Sequence, residues 1–263
     1  MLRAKSVVIA VAVISTFLWG GSTANADVVT TLVTVRAQAL EGQSVVDEAV
    51  WCVTVDKTGG SADELYQLAS PVTLVGSKVG VLGTIEGLAV KFLGDPVVSV
   101  SFAVTAGAVP TAFTFTSAKL TFPVLDTDVV GVASAGVTVT DLDSNGAWLS
   151  GAFEGGKAYE ALYFTPAQTV FARLVNGAAA GPDDSGTSRG RSGPTPIAGS
   201  VSGIQAAFSF VLSANDMGSG TSSFNVTGTS GGPPVVPLPP AVWGGMAMMG
   251  LVVGARVRRY LRK

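Results

Sequence analysis

Six consecutive residues carry the densest chemistry in this sequence: Asp141-Leu142-Asp143-Ser144-Asn145-Gly146. The pattern is D-x-D-x-N-G. Oxygen-bearing side chains at alternate positions can converge on one cation, and glycine admits the sharp turn that such a loop needs. Calcium is the ion this chemistry would take, with Asp141, Asp143 and Asn145 as its metal ligands. An EF-hand requires a bidentate acid at the twelfth loop position, which counted from Asp141 is Ala152. That excludes an EF-hand. A calcium loop of another kind would draw a further ligand from Asp126, Asp128 or Glu154. The same residues also read as a plain hairpin turn, because Ser144-Asn145-Gly146 is strong turn chemistry between Val137–Thr140 and Ala147–Leu149. Both readings are open at this point.

Other chemistry is sparse. The chain has no histidine. Ser-His-Asp and Cys-His catalysis are therefore excluded, as is every histidine-ligated zinc or copper site. A carboxylate pair for glycoside hydrolysis could be drawn from Asp141, Asp143, Glu154 and Glu160, but nothing fixes its spacing. No catalytic residue is assigned, and the chain is expected not to be an enzyme. The single cysteine, Cys52, rules out an internal disulfide and is expected as a small buried hydrophobe. Trp51, in an apolar run, is expected in the core; Trp148, just after the turn, is a candidate ring for stacking on a sugar. Arg189 and Arg191 are expected as solvated loop charges. Asn225-Val226-Thr227 matches a glycosylation pattern and is taken as chance.

The elements that would position these residues are strands. Val98, Val100, Phe102 and Val104 alternate with Ser99, Ser101, Ala103 and Thr105; Phe113 and Phe115 alternate with threonines; Phe208, Phe210 and Leu212 repeat the pattern. A period of two with one polar face means half-buried antiparallel strands. Val- and Thr-rich Asp27 to Arg36 reads as a first strand, and Trp51 to Val55 centres a second. Lys57 to Leu68 reads as a loop followed by one or two helical turns capped by Ser61. Pro71 to Leu93 reads as short strands broken at Gly76, Gly80, Gly83 and Gly87, with an apolar helix as the alternative for part of it. About ten short strands with little helix predict an all-β domain, a jelly-roll-like β-sandwich over 27–227. Within it, residues 176–196, rich in Gly, Ser and Pro, are expected as a mobile surface loop, and 228–235 as a Gly/Pro stalk.

The two ends read differently. Arg3 and Lys5, an apolar run from Val7 to Trp19, and small residues at Ala24 and Ala26 form a secretory signal peptide, residues 1–26, cleaved after Ala26. At the other end, Val236, Pro237, Leu238, Pro239 and Pro240 form a short proline motif. An apolar helix is expected over 241–255, and Arg256, Arg258, Arg259, Arg262 and Lys263 form a basic tail over 256–263. The charge-free stretch Leu238 to Ala255 is 18 residues. As a helix it would span roughly 27 Å, just enough for a hydrocarbon core of about 30 Å. The cations behind it would stay cytoplasmic, leaving the bulk of the chain outside. Between the two ends, nine bases face 18 acids, a net charge of −9. Nucleic acid is thus not an expected partner.

The order of proline motif, membrane helix and arginine cluster resembles the PEP-CTERM sorting signal in its VPLPA-type variant. Leu238 stands where the commonest form has Glu, and Pro240 where the variant has Ala. The resemblance covers 236–263 only. It implies export, with signal peptidase and an exosortase-like membrane protease as processing partners. It also implies passage through the inner membrane, transient or permanent, and association with extracellular polysaccharide. The expected function is that of a non-enzymatic surface or extracellular-matrix protein. The alternative is a carbohydrate- or calcium-binding module anchored permanently by its C-terminal helix.

Overall fold

A computed structural model describes residues 28–57 and 63–229. The residues expected as signal peptide, sorting motif, apolar helix and basic tail, with most of the expected stalk, lie outside the described residues. No helix occurs among the described residues. The compact unit of the body closes at Thr229.

Sixteen strands follow one another. They are β1 (Val28–Glu41), β2 (Ser44–Lys57), β3 (Glu64–Gln67), β4 (Val72–Val75), β5 (Val81–Leu93), β6 (Val97–Ala106), β7 (Thr111–Ser117) and β8 (Leu120–Leu125). Then come β9 (Thr127–Thr140), β10 (Ala147–Gly151), β11 (Tyr159–Thr165), β12 (Ala167–Leu174), β13 (Ala178–Ala180), β14 (Ser185–Pro196), β15 (Val201–Leu212) and β16 (Met217–Thr229). They form two antiparallel sheets. The first runs β12-β11-β15-β7-β1-β2, with β8 and β10 also pairing β15, and β13 pairing β10. The second runs β14-β9-β16-β6-β5-β3, with β4 also on β5.

The sheets pack face to face in the manner of a β-sandwich, because each strand turns one apolar row inward. In β6 the inward row is Val98, Val100, Phe102 and Val104, all buried. Phe102 of the second sheet meets three rings of the first. It stacks on Phe115 with centroids 4.5 Å apart and on Phe210 at 5.2 Å, and meets Phe208 edge-on at 5.0 Å. Burying each such ring stabilises the fold by about 1.5–3 kcal/mol. The ring fits because Gly220, opposite it on β16, has no side chain. A Cβ there would lie 2.6 Å from Phe102 Cε1.

The β4–β5 turn hangs on one carboxylate. Buried Asp47 of β2 accepts the backbone N–H groups of Ser77 at 3.0 Å, Lys78 at 2.6 Å, Val79 at 2.7 Å and its neighbour Glu48 at 2.9 Å. The Val79 N–H, with those of Lys78, Glu48 and Ser77, holds the Asp47 carboxyl well below the usual carboxylate range, against the opposing effect of burial.

Several expectations differ from what the structure shows. The passage 176–196 is not a mobile loop: it holds β13 and β14, and β14 pairs with β9 from Ser185 to Pro196. Its glycines at 186 and 190 mark close approach rather than freedom, since a Cβ on Gly186 would meet the Ala179 carbonyl oxygen and one on Gly190 would lie 3.1 Å from Val175 N. Its prolines are tolerated because β14 is an edge strand. The helical turns expected before Leu68 are replaced by β3, whose four residues pair with β5. Strand pairing there outweighs a weak helix propensity. Gly76 and Gly80 do flank a turn, but β5 runs unbroken through Gly83 and Gly87. Cys52 is exposed, on the outward side of edge strand β2, rather than buried. Trp51 packs partly buried against the core. The last strand continues to Thr229, two residues beyond the boundary expected at 227.

Candidate functional site

The D-x-D-x-N-G residues form the connection between β9 and β10. Ser144 and Gly146 take the left-handed backbone, with φ of 64° and 90°. That conformation costs glycine nothing and turns the chain back on itself. Asp141 Oδ1 then accepts the Gly146 N–H at 3.1 Å, and Asp141 Oδ2 accepts the Asp183 N–H at 2.7 Å. The loop is thereby tied to the segment leading into β14. The Asp183 N–H, with those of Gly146 and Asn145, holds the Asp141 carboxyl below its ordinary range despite burial. Asp141 is ionised at neutral pH.

A second acid arrives from elsewhere in the chain. Thr140 pairs with Met217 across the β9–β16 ladder, which brings Asp216 beside Asp141. Asp216 is fully buried, at 0% exposure. It accepts the Leu142 N–H at 3.2 Å and the Ser213 hydroxyl. The Ser213 oxygen in turn accepts the Trp148 N–H at 2.9 Å. Asp143, exposed, accepts the side-chain N–H groups of Asn145 at 2.8 Å and Asn215 at 3.3 Å.

Carboxylate oxygens of Asp141, Asp143 and Asp216 lie within 4.8 Å of one another. Two of the three acids are buried, and among the described residues no lysine or arginine pairs with any of them. Like charges so close repel, and a hard divalent cation is the chemistry that would neutralise them. The structure thus joins the predicted Asp141 and Asp143. Asn145 lies beside Asp143 and donates to it through Nδ2, and Asp216 supplies the third converging acid.

Sequence reasoning missed Asp216 because its place depends on which strands are neighbours. The one signal was an acid in the turn Ser213-Ala214-Asn215-Asp216 between two strands. The other nominated ligands are elsewhere. Asp126 bonds through its N–H to the Thr229 carbonyl, at the far end of β9, where Asp128 also lies. Glu154 pairs with Arg173 at 2.5 Å. Glu160 pairs with the same arginine at 2.8 Å, so those two acids are committed to an ion pair. Trp148, whose N–H bonds Ser213, flanks the cluster and is 42% exposed.

No protein-family model matches the chain, and no curated protein matches it.

Proposed function

We propose that this chain is a non-enzymatic exported protein of the cell surface or extracellular matrix. In this reading signal peptidase removes residues 1–26, and an exosortase-like membrane protease acts at Val236–Pro240 while 241–255 sits in the inner membrane. The working part is then the body, a sandwich of jelly-roll kind, released or re-attached near extracellular polysaccharide. One observation carries the reading: a leader-like sequence and a proline, apolar and basic sequence order bracket an all-β body. Terminal-peptide mass spectrometry on protein from its native host tests it. Peptides starting at Asp27 and ending near Val236 or Pro237 are expected. Peptides through Arg259 that persist in the membrane fraction would leave a permanently anchored domain and no sorting step.

The convergence of Asp141, Asp143 and Asp216 favours a second reading, a calcium-binding module. Calcium takes oxygen ligands at about 2.3–2.6 Å in flexible geometry, so three carboxylates with backbone carbonyls and water would suffice. A ligand that binds only the folded state raises the melting temperature. Millimolar calcium should raise it by several degrees over EDTA, and Asp143→Asn should remove the rise. A shift under about 1 °C sinks this reading.

A further inference from the structure

The outer face of the second sheet differs chemically from the rest of the body. Registers across four strands align outward residues in rows. One row is Ser101, Thr221, Gly136 and Arg189. The next is Ser99, Ser223, Ser134 and Arg191. Each arginine therefore closes a row of small residues. A shallow groove of about 580 Å³ crosses this face, with Arg189 in its wall. Gly136 leaves room for the Arg189 stem, since a Cβ there would already lie 3.4 Å from Arg189 Cγ.

Three features point to a ligand class. None of β6, β14 and β16 contains an acid, nor does β9 from Val130 on, in a body of net charge −9. Among the described residues neither Arg189 nor Arg191 has an ion-pair partner. The hydroxyls of Ser99, Ser101, Ser134, Ser219, Thr221 and Ser223 make no hydrogen bond within the protein among the described residues. A free guanidinium fork matches a carboxylate bidentately. A serine or threonine hydroxyl both donates and accepts, as a sugar hydroxyl does. The aromatic anchors that dominate protein interfaces are missing here, since Phe102 and Phe224 both point inward. The stacking rings that hold single-stranded nucleic acid are missing for the same reason.

We infer that this face binds a linear anionic polysaccharide of uronate type. Carboxylates seat on Arg189 and Arg191, and sugar hydroxyls seat on the serine and threonine rows. The inference supplies a ligand for the surface protein proposed above and rests on that reading for its setting. Binding is measured in vitro, so it fails separately from export and processing.

The test is affinity electrophoresis of the full chain in mild detergent, through gels containing alginate or an equal weight of dextran, with EDTA present to exclude calcium bridging. Alginate should retard the protein, less so as salt is raised. Dextran should not. Arg189→Ala/Arg191→Ala should weaken retardation roughly tenfold, with an unchanged melting temperature because both side chains are exposed. Thr221→Val/Ser223→Val should weaken it with the charge intact. No retardation by alginate overturns the inference, as does retardation that survives loss of both arginines. Equal retardation by dextran makes the charge irrelevant, and equal retardation by single-stranded DNA makes the face an indiscriminate polyanion surface; either result overturns it too.

Discussion

Gly220→Ala tests the packing argument most directly. The added methyl would lie 2.6 Å from Phe102 Cε1, 2.7 Å from Cζ and 3.2 Å from the Gly136 carbonyl oxygen. Carbon atoms settle at about 3.5–4.0 Å, so the ring must retreat by roughly 1 Å. It has nowhere to go, because Phe115 and Phe210 stack on it at 4.5 and 5.2 Å and Phe208 meets its edge at 5.0 Å. Overpacking of this kind costs about 1–3 kcal/mol. Disturbed ring pairs add about 0.5–1.5 kcal/mol each. Loss of glycine's freedom in the unfolded chain returns about 0.4–1 kcal/mol. The net expectation is destabilisation by about 2 kcal/mol. With a urea slope of about 1–3 kcal/mol per M, the midpoint should fall by roughly 1 M. Urea titration followed by tryptophan fluorescence measures it. Phe102→Leu alone should also destabilise, through the cavity it leaves. In the double variant the methyl occupies part of that cavity, so its cost should fall below the sum of the two single-variant costs by about 1 kcal/mol or more. An unchanged midpoint in Gly220→Ala refutes the reasoning. So does strict additivity, since it would mean that the ring and position 220 do not share a volume.

Further tests probe other parts of the body. Asp47→Asn should loosen the turn at residues 76–80 and raise its proteolytic nicking. Because the folded-state carboxyl titrates below its unfolded value of about 3.9, its stabilising effect is complete above that value and fades as pH falls through the folded one. The difference in urea midpoint between wild type and Asp47→Asn should hold steady from pH 5 to pH 8 and close only in acid; a difference that widens in acid contradicts this. Tyr159 is buried with its hydroxyl unbonded, while Ser222 beside it directs its own hydroxyl to the Val100 carbonyl at 3.4 Å. Tyr159→Phe should therefore be neutral or stabilising by about 1 kcal/mol in the same titration. Burial also raises the Tyr159 ionisation range. Cys52 should react with one equivalent of a thiol reagent in the native protein without denaturant; protection until unfolding would contradict its exposure.

The strands were legible where a side chain marked each face. Val98 to Val104 and Phe208 to Leu212 alternate cleanly, and the structure buries those apolar rows. β14 was illegible because its inward positions, Gly186, Ser188, Gly190 and Ser192, carry no apolar side chain, and the two glycines sit against neighbouring backbone. In a sequence, such glycines look the same as turn glycines. The acidic loop was half legible. Asp141 and Asp143 are local, but Asp216 joins them only through the β9–β16 ladder, whose Met217–Thr140 pair joins segments 77 positions apart. Local spacing carries no trace of which strands become neighbours.

That same ladder gives the body two poles. β16 begins at Met217, next to the acid cluster, and runs to Thr229, where the chain leaves the body. At about 3.3 Å per residue this is roughly 40 Å of strand. β1 starts at the exit pole too, because Ala39 near its end pairs with Thr111, which pairs with Leu212 just before Ser213. Val28 and Thr229, the two ends of the described body, thus lie at one pole and the carboxylates crown the other. An ion captured by the acids would thus lie the length of the sheet away from both ends of the described body.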